Sequence, residues 1–217
     1  SSAKRGIFAH DMGDLKRYER HDIATHTDGN PDGKGISGFL ADWYRTEPHG
    51  VIAKPQRQVL AEFFTSMLVL SAKFKYEPVI SLPNYLYWFD DEWSLSLVGP
   101  HEWSYERRAA FAGTCILQQD MTWTIEPSEL LSKKNDVSDA VARFYDGFAH
   151  FLDTDLTLEE ILPFYVGNMT YYPRLFSSGL ARSIRGTIVL GGQGHTRCSD
   201  WQLLLPGLER ALLVRNG

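Results

Sequence analysis

The chain has 217 residues, 43% of them hydrophobic and 23% charged, and a formal net charge of −5. That is the composition of a globular protein long enough to bury its own core. No apolar run approaches the roughly 18 residues needed to cross a bilayer, so no membrane is expected among its partners. The two cysteines, Cys115 and Cys198, make no disulfide framework, and the opening residues carry no apolar stretch of signal-peptide length. A reducing, cytoplasmic compartment is expected.

The charge is unevenly spread. Residues 81–172 carry five basic and fifteen acidic side chains, whereas residues 173–217 carry six arginines against two acidic groups. Either the surface is simply uneven in composition, or the arginine-rich end meets an anionic partner.

In chain order, residues 1–50 read as an extended, glycine-rich arm that precedes a single domain over 51–217. The arm holds seven glycines and two prolines. Its apolar side chains are thinly spread, with Phe8, Met12, Leu15, Tyr18 and Ile23 as the candidate anchors for a protein partner. Such a segment buries too little to fold by itself and gains order by laying a few anchors on another surface. Within the arm, "DGNPDGKG" at 28–35 has the first positions of a calcium loop. It puts Phe39 where the bidentate glutamate belongs, so a solvated turn is expected. The arm histidines His10, His21 and His26 lack a scaffold of further metal ligands.

"PQRQVLAEFFTSMLVLSAK" predicts a helix over 55–73. Leu60, Phe63, Phe64, Met67 and Leu68 form its apolar stripe, while Arg57, Glu62 and Ser66 fall elsewhere. Alternation in "NYLYWF" and "EWSLSL" about Asp90-Asp91 predicts a β-hairpin, and Met121, Trp123 and Ile125 a third strand. The resulting meander spans 84–125. One sheet face should pack on the helix and the other should be partly open. Helices are expected over 136–213. Val137, Val141, Phe144, Phe148 and Phe151 form one stripe. Thr157 and Glu160 stand at capping-box spacing. A helix is expected from Pro173 to about Arg185, and Ser199 offers an N-cap for a last one. The fold class is α+β: an amphipathic helix packed on a small antiparallel meander, followed by a C-terminal helical portion.

The meander carries a family likeness. Tyr85, Leu86 and Tyr87 are followed by Pro100, Glu102 and Trp103. Phe111 and Gly113 come next, then Leu117, Gln118, Asp120, Met121, Trp123 and Thr124. In this order and spacing, residues 50–124 resemble the domain of unknown function 2452 family. Gly99 departs from the Ser or Ala usual before that proline. The resemblance implies the fold of this region and brings no activity with it.

Three constellations could carry function. The hairpin aromatics form either sheet core and cross-strand pairs or a stacking platform, with Trp88 and Trp103 as its exposed members. Arg174, Arg182 and Arg185 fall within 80° of one another on a helix. With Tyr171 and Tyr172 ahead of them, they form a candidate anion or nucleic-acid face, or else a solvated face paired with the acidic middle. "LGGQGHT" contains the Gly-Gly-Gln of peptide-release loops without their flanking residues, and a connection between helices is the plainer reading. His195 and Cys198 would need a further ligand to hold zinc. No Gly-x-Ser-x-Gly, His-Glu-x-x-His, Walker or dinucleotide motif occurs, and no cofactor or metal is expected. The leading expectation is a non-catalytic accessory protein that docks into a larger cytoplasmic assembly through its arm. The alternatives are a nucleic-acid- or ribosome-associated factor and a small-molecule enzyme or binder using the aromatic sheet.

Overall fold

The computed structural model of the chain describes residues 36–162 and 169–212. The candidate anchors of the arm lie outside the described residues. The first described element, α1 (Ile36–Arg45), falls inside the span expected to be arm, yet it belongs to the domain. Phe39 is 4% exposed, and its ring packs against Trp43 at 5.9 Å. Asp42 is fully buried, pairs with Arg45 and accepts a hydrogen bond from Tyr171 Oη at 2.8 Å. A single apolar stripe with one buried carboxylate is enough to dock a short helix when its partner surface is already built.

Helix α2 (Gln56–Leu70) is the centre of the molecule. Pro55 precedes it as the N-cap residue with extended backbone. The expected stripe is buried, but so are Glu62, Thr65 and Ser66, so the helix is enclosed on nearly all sides from Val59 onward rather than on one face. Its polar side chains bind neighbouring backbone. Thr65 Oγ1 donates to the Ala211 carbonyl at 2.6 Å, and Ser66 Oγ accepts from the Trp123 amide at 2.9 Å. The helix stops short of Lys73 because that residue pairs with the sheet edge. The Lys73 amide donates to Trp93 O at 3.0 Å and the Leu95 amide to Lys73 O at 3.1 Å.

The sheet contains β1 (Pro83–Phe89), β2 (Glu92–Ser96), β3 (Phe111–Leu117) and β4 (Trp123–Pro127) in the order β2-β1-β3-β4, all antiparallel. The hairpin turns on Asp90 and Asp91, both at positive φ (55° and 56°), the twist that two-residue hairpin loops require. Strand β3 is an addition to the expected three. A register shift between Leu86 and Tyr87 leaves Ala112 as an extra residue, which breaks the alternation of "FAGTCIL". Gly113 sits where β3 and β4 close tightly: a Cβ there would lie 2.6 Å from the Glu126 carbonyl.

The inner sheet face presents Leu86, Trp93, Leu95, Cys115, Leu117, Trp123 and Ile125 to the helices, all buried. The outer face is partly open, as expected: Thr114, Ile116 and Thr124 are partly exposed, and the chain itself covers the rest. The connection from β2 to β3, containing a 3-10 turn (Pro100–Glu102) and α3 (Tyr105–Arg108), folds back over Tyr85, Tyr87 and Phe111. Tyr87 is therefore fully buried.

Helix α4 (Asp136–Phe151) opens with a capping box between Asn135 and Ser138, and its stripe is buried up to Phe148, with Phe151 half-buried. Helix α5 (Leu158–Ile161) has the expected Thr157–Glu160 capping box. Helix α6 (Tyr171–Leu190) is longer than expected at both ends and mostly buried. Helix α7 (Cys198–Gln202) starts from Arg197 rather than Ser199. The Cys198 and Ser199 amides donate to Leu156 O (2.7 Å) and Thr154 O (3.0 Å), which draws the helix start forward. Helix α8 (Leu208–Ala211) follows Pro206-Gly207. Sheet strand β4, α4, α6 and α8 all pack on α2.

Gly179 is where α6 passes closest to the segment after α1. A Cβ at this position would meet the Thr46 carbonyl at 2.7 Å and Met121 Cγ at 3.2 Å. Gly179→Ala is expected to lower stability by about 1–3 kcal/mol through overpacking, against a helix-propensity gain of about 1 kcal/mol. Urea unfolding checks it, and an unchanged or raised midpoint would show that the contact yields.

Candidate functional site

Three places in the described residues combine charge with concavity or aromatic surface. The first is a buried ion cluster. Lys54 stands just before Pro55, on the chain that enters α2. Its Nζ lies 2.8 Å from Glu62 Oε2 and 2.7 Å from Asp120 Oδ2, and all three side chains are less than a tenth exposed. Gln58 Nε2 donates to Glu62 Oε1 at 3.2 Å. Asp120 Oδ1 accepts from the Thr122 amide (3.1 Å) and hydroxyl (2.6 Å), which shapes the turn from β3 to β4 and holds Met121 at a φ of 66°. Burial raises the Asp120 carboxyl, but hydrogen bonds from Lys54 and Thr122 and the Lys54 charge outweigh it and hold the group below the usual carboxylate range. With two carboxylates on one ammonium, the cluster fixes geometry and leaves the amine committed.

Beside the cluster lies a cleft of about 270 Å³, walled by Arg57, Gln58, Ala61, Glu62, Thr65, Trp123, Thr124, Pro206 and Arg210. Arg57 and Arg210 are exposed at its rim, and among the described residues neither has an ion-pair partner. Glu62 falls outside the expected apolar stripe, although a carboxylate embedded in "VLAEFFTSML" is a signal that a buried partner is needed.

The two tryptophans of the expected platform sit in separate ring clusters, each with an arginine over it. Trp88 lies 5.0 Å from Trp93 and is covered by the Arg143 guanidinium at 5.6 Å. Trp103 meets Tyr87 edge-on at 6.4 Å, and Arg107 lies over both Trp103 (4.9 Å) and Phe89 (4.4 Å). The Val98 carbonyl accepts from Tyr87 Oη at 2.8 Å and Trp103 Nε1 at 3.2 Å. Burial, set against the hydrogen bond that Trp103 provides, pushes the Tyr87 phenol up to about 12. Both tryptophans are thus half-buried members of the sheet's own packing.

The arginine face is turned inward. Tyr171 and Tyr172 are 2% and 3% exposed. Arg182 stacks on Trp43 at 4.3 Å and donates to Thr46 O (3.1 Å) and Thr46 Oγ1 (2.8 Å). Arg185 donates to the Leu162 carbonyl, and Arg174 is half-buried. Tyr171, Arg182 and Arg185 brace α6 against α1 and its neighbours, and all three arginines are half-buried. The reason is the length of α6: a helix buried on most sides carries its arginines into gaps, where their stems pack and their forks find carbonyls.

The remaining motifs resolve as structure. Gly191 and Gly192 end α6, and the Gln193 side chain accepts from Gln56 Nε2 (3.0 Å) and Thr196 Oγ1 (2.9 Å). His195 is exposed while Cys198 is fully buried. Burial, and then the Glu160 charge, pushes the Cys198 thiol up to about 12, and burial raises Cys115 further still, so neither is a thiolate at neutral pH. Among the described residues no three His, Cys, Asp or Glu side chains are grouped so as to hold a metal ion.

The third place is a wide, shallow trough of about 550 Å³ between the segment after α1 and the second half of α6. Pro48, Val51, Val189 and Leu190 line it together with Glu47, Arg182 and Arg185. Val189 and Leu190 are 64% and 61% exposed, and Ile52, next along the chain from Val51, is 60% exposed. Gly186 keeps the floor open: a Cβ there would come within 3.0 Å of Val51 Cγ1. An adjoining hollow shares Val189 and is bordered by Glu159, Glu160 and His195.

No protein-family model, curated protein or solved structure matches the chain. Among the described residues no helix is long and apolar enough to cross a membrane.

Proposed function

We propose that this chain is a non-catalytic accessory protein of the cytoplasm that docks into a larger assembly by protein–protein contact. The observation that supports the reading is the trough, a wide concavity lined by aliphatic side chains left in water. Contiguous exposed apolar surface rimmed by polar groups is the usual mark of an interaction site. Glu47, Arg182 and Arg185 share the lining with these side chains, so the partner is a protein segment with aliphatic anchors flanked by polar groups of both signs. Phe8, Met12, Leu15, Tyr18 and Ile23 serve in this reading as a second set of anchors. The titratable groups support the same reading, since the buried amine is held by two carboxylates and both thiols stay protonated.

The test is a two-component binding measurement. A partner captured on the full chain is identified, made separately and titrated calorimetrically against three proteins: the native chain, Val189→Asp/Leu190→Asp, and a chain with the five arm anchors changed to alanine. The trough variant is expected to bind at least about tenfold more weakly with an unchanged melting temperature, since only exposed side chains change. The arm variant is expected to weaken as well. Equal affinity for native and trough variants overturns the reading. So does self-association of the native chain that the trough variant abolishes, because the trough is then a contact between copies.

A further inference from the structure

We propose that the cleft between α2 and Pro206–Arg210 binds a small organic anion, one carboxylate or phosphate group on an apolar body. This proposal is independent of the docking role.

The charge distribution is the first argument. Glu62 lines the cleft with its oxygens engaged by Lys54 and Gln58. The two guanidinia of Arg57 and Arg210 stand at the mouth, and no carboxylate among the described residues pairs with either. Two forks on one small cleft are a ready receptor for a carboxylate or phosphate, which each can grip through paired hydrogen bonds. Because α2 has no side-chain cap at its N-terminus, the positive end of its dipole adds to the same potential.

The walls supply the second argument. Ala61, Trp123 and Pro206 make the lining largely apolar. Trp123 is 1% exposed, so it gives the cleft a rigid, closely packed wall. A volume of about 270 Å³ is at the small end for ligand sites, so the body is no larger than one ring or a short branched chain.

The probes are benzoate, phenyl phosphate and the neutral isostere benzamide, titrated against the full chain and followed by tryptophan fluorescence and calorimetry. Saturable binding of benzoate or phenyl phosphate is expected at a Kd of roughly 0.1–1 mM, the affinity that about ten heavy atoms give at ordinary ligand efficiency. Whichever of the two binds more tightly identifies the head group. Arg57→Gln/Arg210→Gln is expected to weaken binding about tenfold or more, while Arg108→Gln, an exposed arginine outside the cleft, leaves it unchanged. Three results overturn the proposal: no saturation by either anion up to about 10 mM, benzamide binding as tightly as benzoate, or equal binding by the double variant. Both arginines are exposed, so the double variant folds, and a melting curve verifies this.

Discussion

Replacing Lys54 by Met is expected to cost about 3–5 kcal/mol at neutral pH, among the largest single-residue losses in the molecule. The change is close in volume and leaves the apolar stem of the side chain in place, so packing contributes little. What is lost is the ammonium that lies between Glu62 and Asp120, whose side chains are 8% and 7% exposed. The two carboxylates then lose their shared ammonium in a desolvated space. Changing the whole cluster (Lys54→Met, Glu62→Met, Asp120→Asn) is expected to recover much of the loss, since an apolar replacement of a buried ion group is often neutral, and the asparagine amide keeps an acceptor for Thr122. Urea unfolding of the two variants measures the difference. A triple variant no more stable than Lys54→Met would mean that the cluster holds its neighbours by shape and not by charge.

The same cluster sets a pH signature. Asp120 is held below its ordinary range, so it contributes stability that is fully present above its unfolded pKa and is lost as pH falls through the folded one. Lys54→Met removes the Lys54 hydrogen bond and charge that lower it and leaves burial, which raises it. The variant's Asp120 therefore accepts a proton at higher pH than in the native chain. The variant's deficit is expected to be full near pH 7 and to shrink as pH falls below about 4–5, where protonation removes the unpaired charge. A deficit independent of pH would place the loss in packing.

How much of this is legible in the sequence differs by element. The stripe of α2, the hairpin about Asp90-Asp91, the α4 stripe and the Thr157–Glu160 capping box follow from local periodicity and local hydrogen bonding, which a sequence displays directly. Strand β3 does not: the extra residue at Ala112 and the side-chain-free Gly113 erase the period-two signal. Nor does the domain status of α1, because Asp42 is buried against Tyr171 of α6, some 130 residues away. The arginines of α6 show the same limit. Helical spacing puts them within one sector, but spacing cannot say whether that sector meets water or Trp43 and Thr46. The Lys54–Glu62–Asp120 cluster joins residues up to 66 apart in sequence. Only Glu62, a lone charge inside an apolar run, hints that such a partner exists.

Phe64→Ala is expected to match the Lys54 variant in size, about 3–5 kcal/mol, for a different reason. Phe64 is fully buried, and its ring packs edge-on against Tyr145 and Phe148, both at 5.5 Å, and against Phe144 at 6.0 Å. These rings fasten α4 to α2, and Phe63, also fully buried, reaches Phe148 at 5.4 Å. Removing one ring forfeits its transfer free energy and leaves a void. The surrounding rings are too rigid to close that void, because each is held by the others. Phe64→Leu, which keeps most of the volume, is expected to lose no more than about 1–2 kcal/mol. The measurement is the urea midpoint at constant m-value, so that the change reports the folded state and not the compactness of the unfolded one. Unlike the Lys54 loss, this one should be indifferent to pH, since the atoms removed carry no charge. Losses below about 1 kcal/mol for both Phe63→Ala and Phe64→Ala would mean that the α2–α4 contact is not the centre of the core.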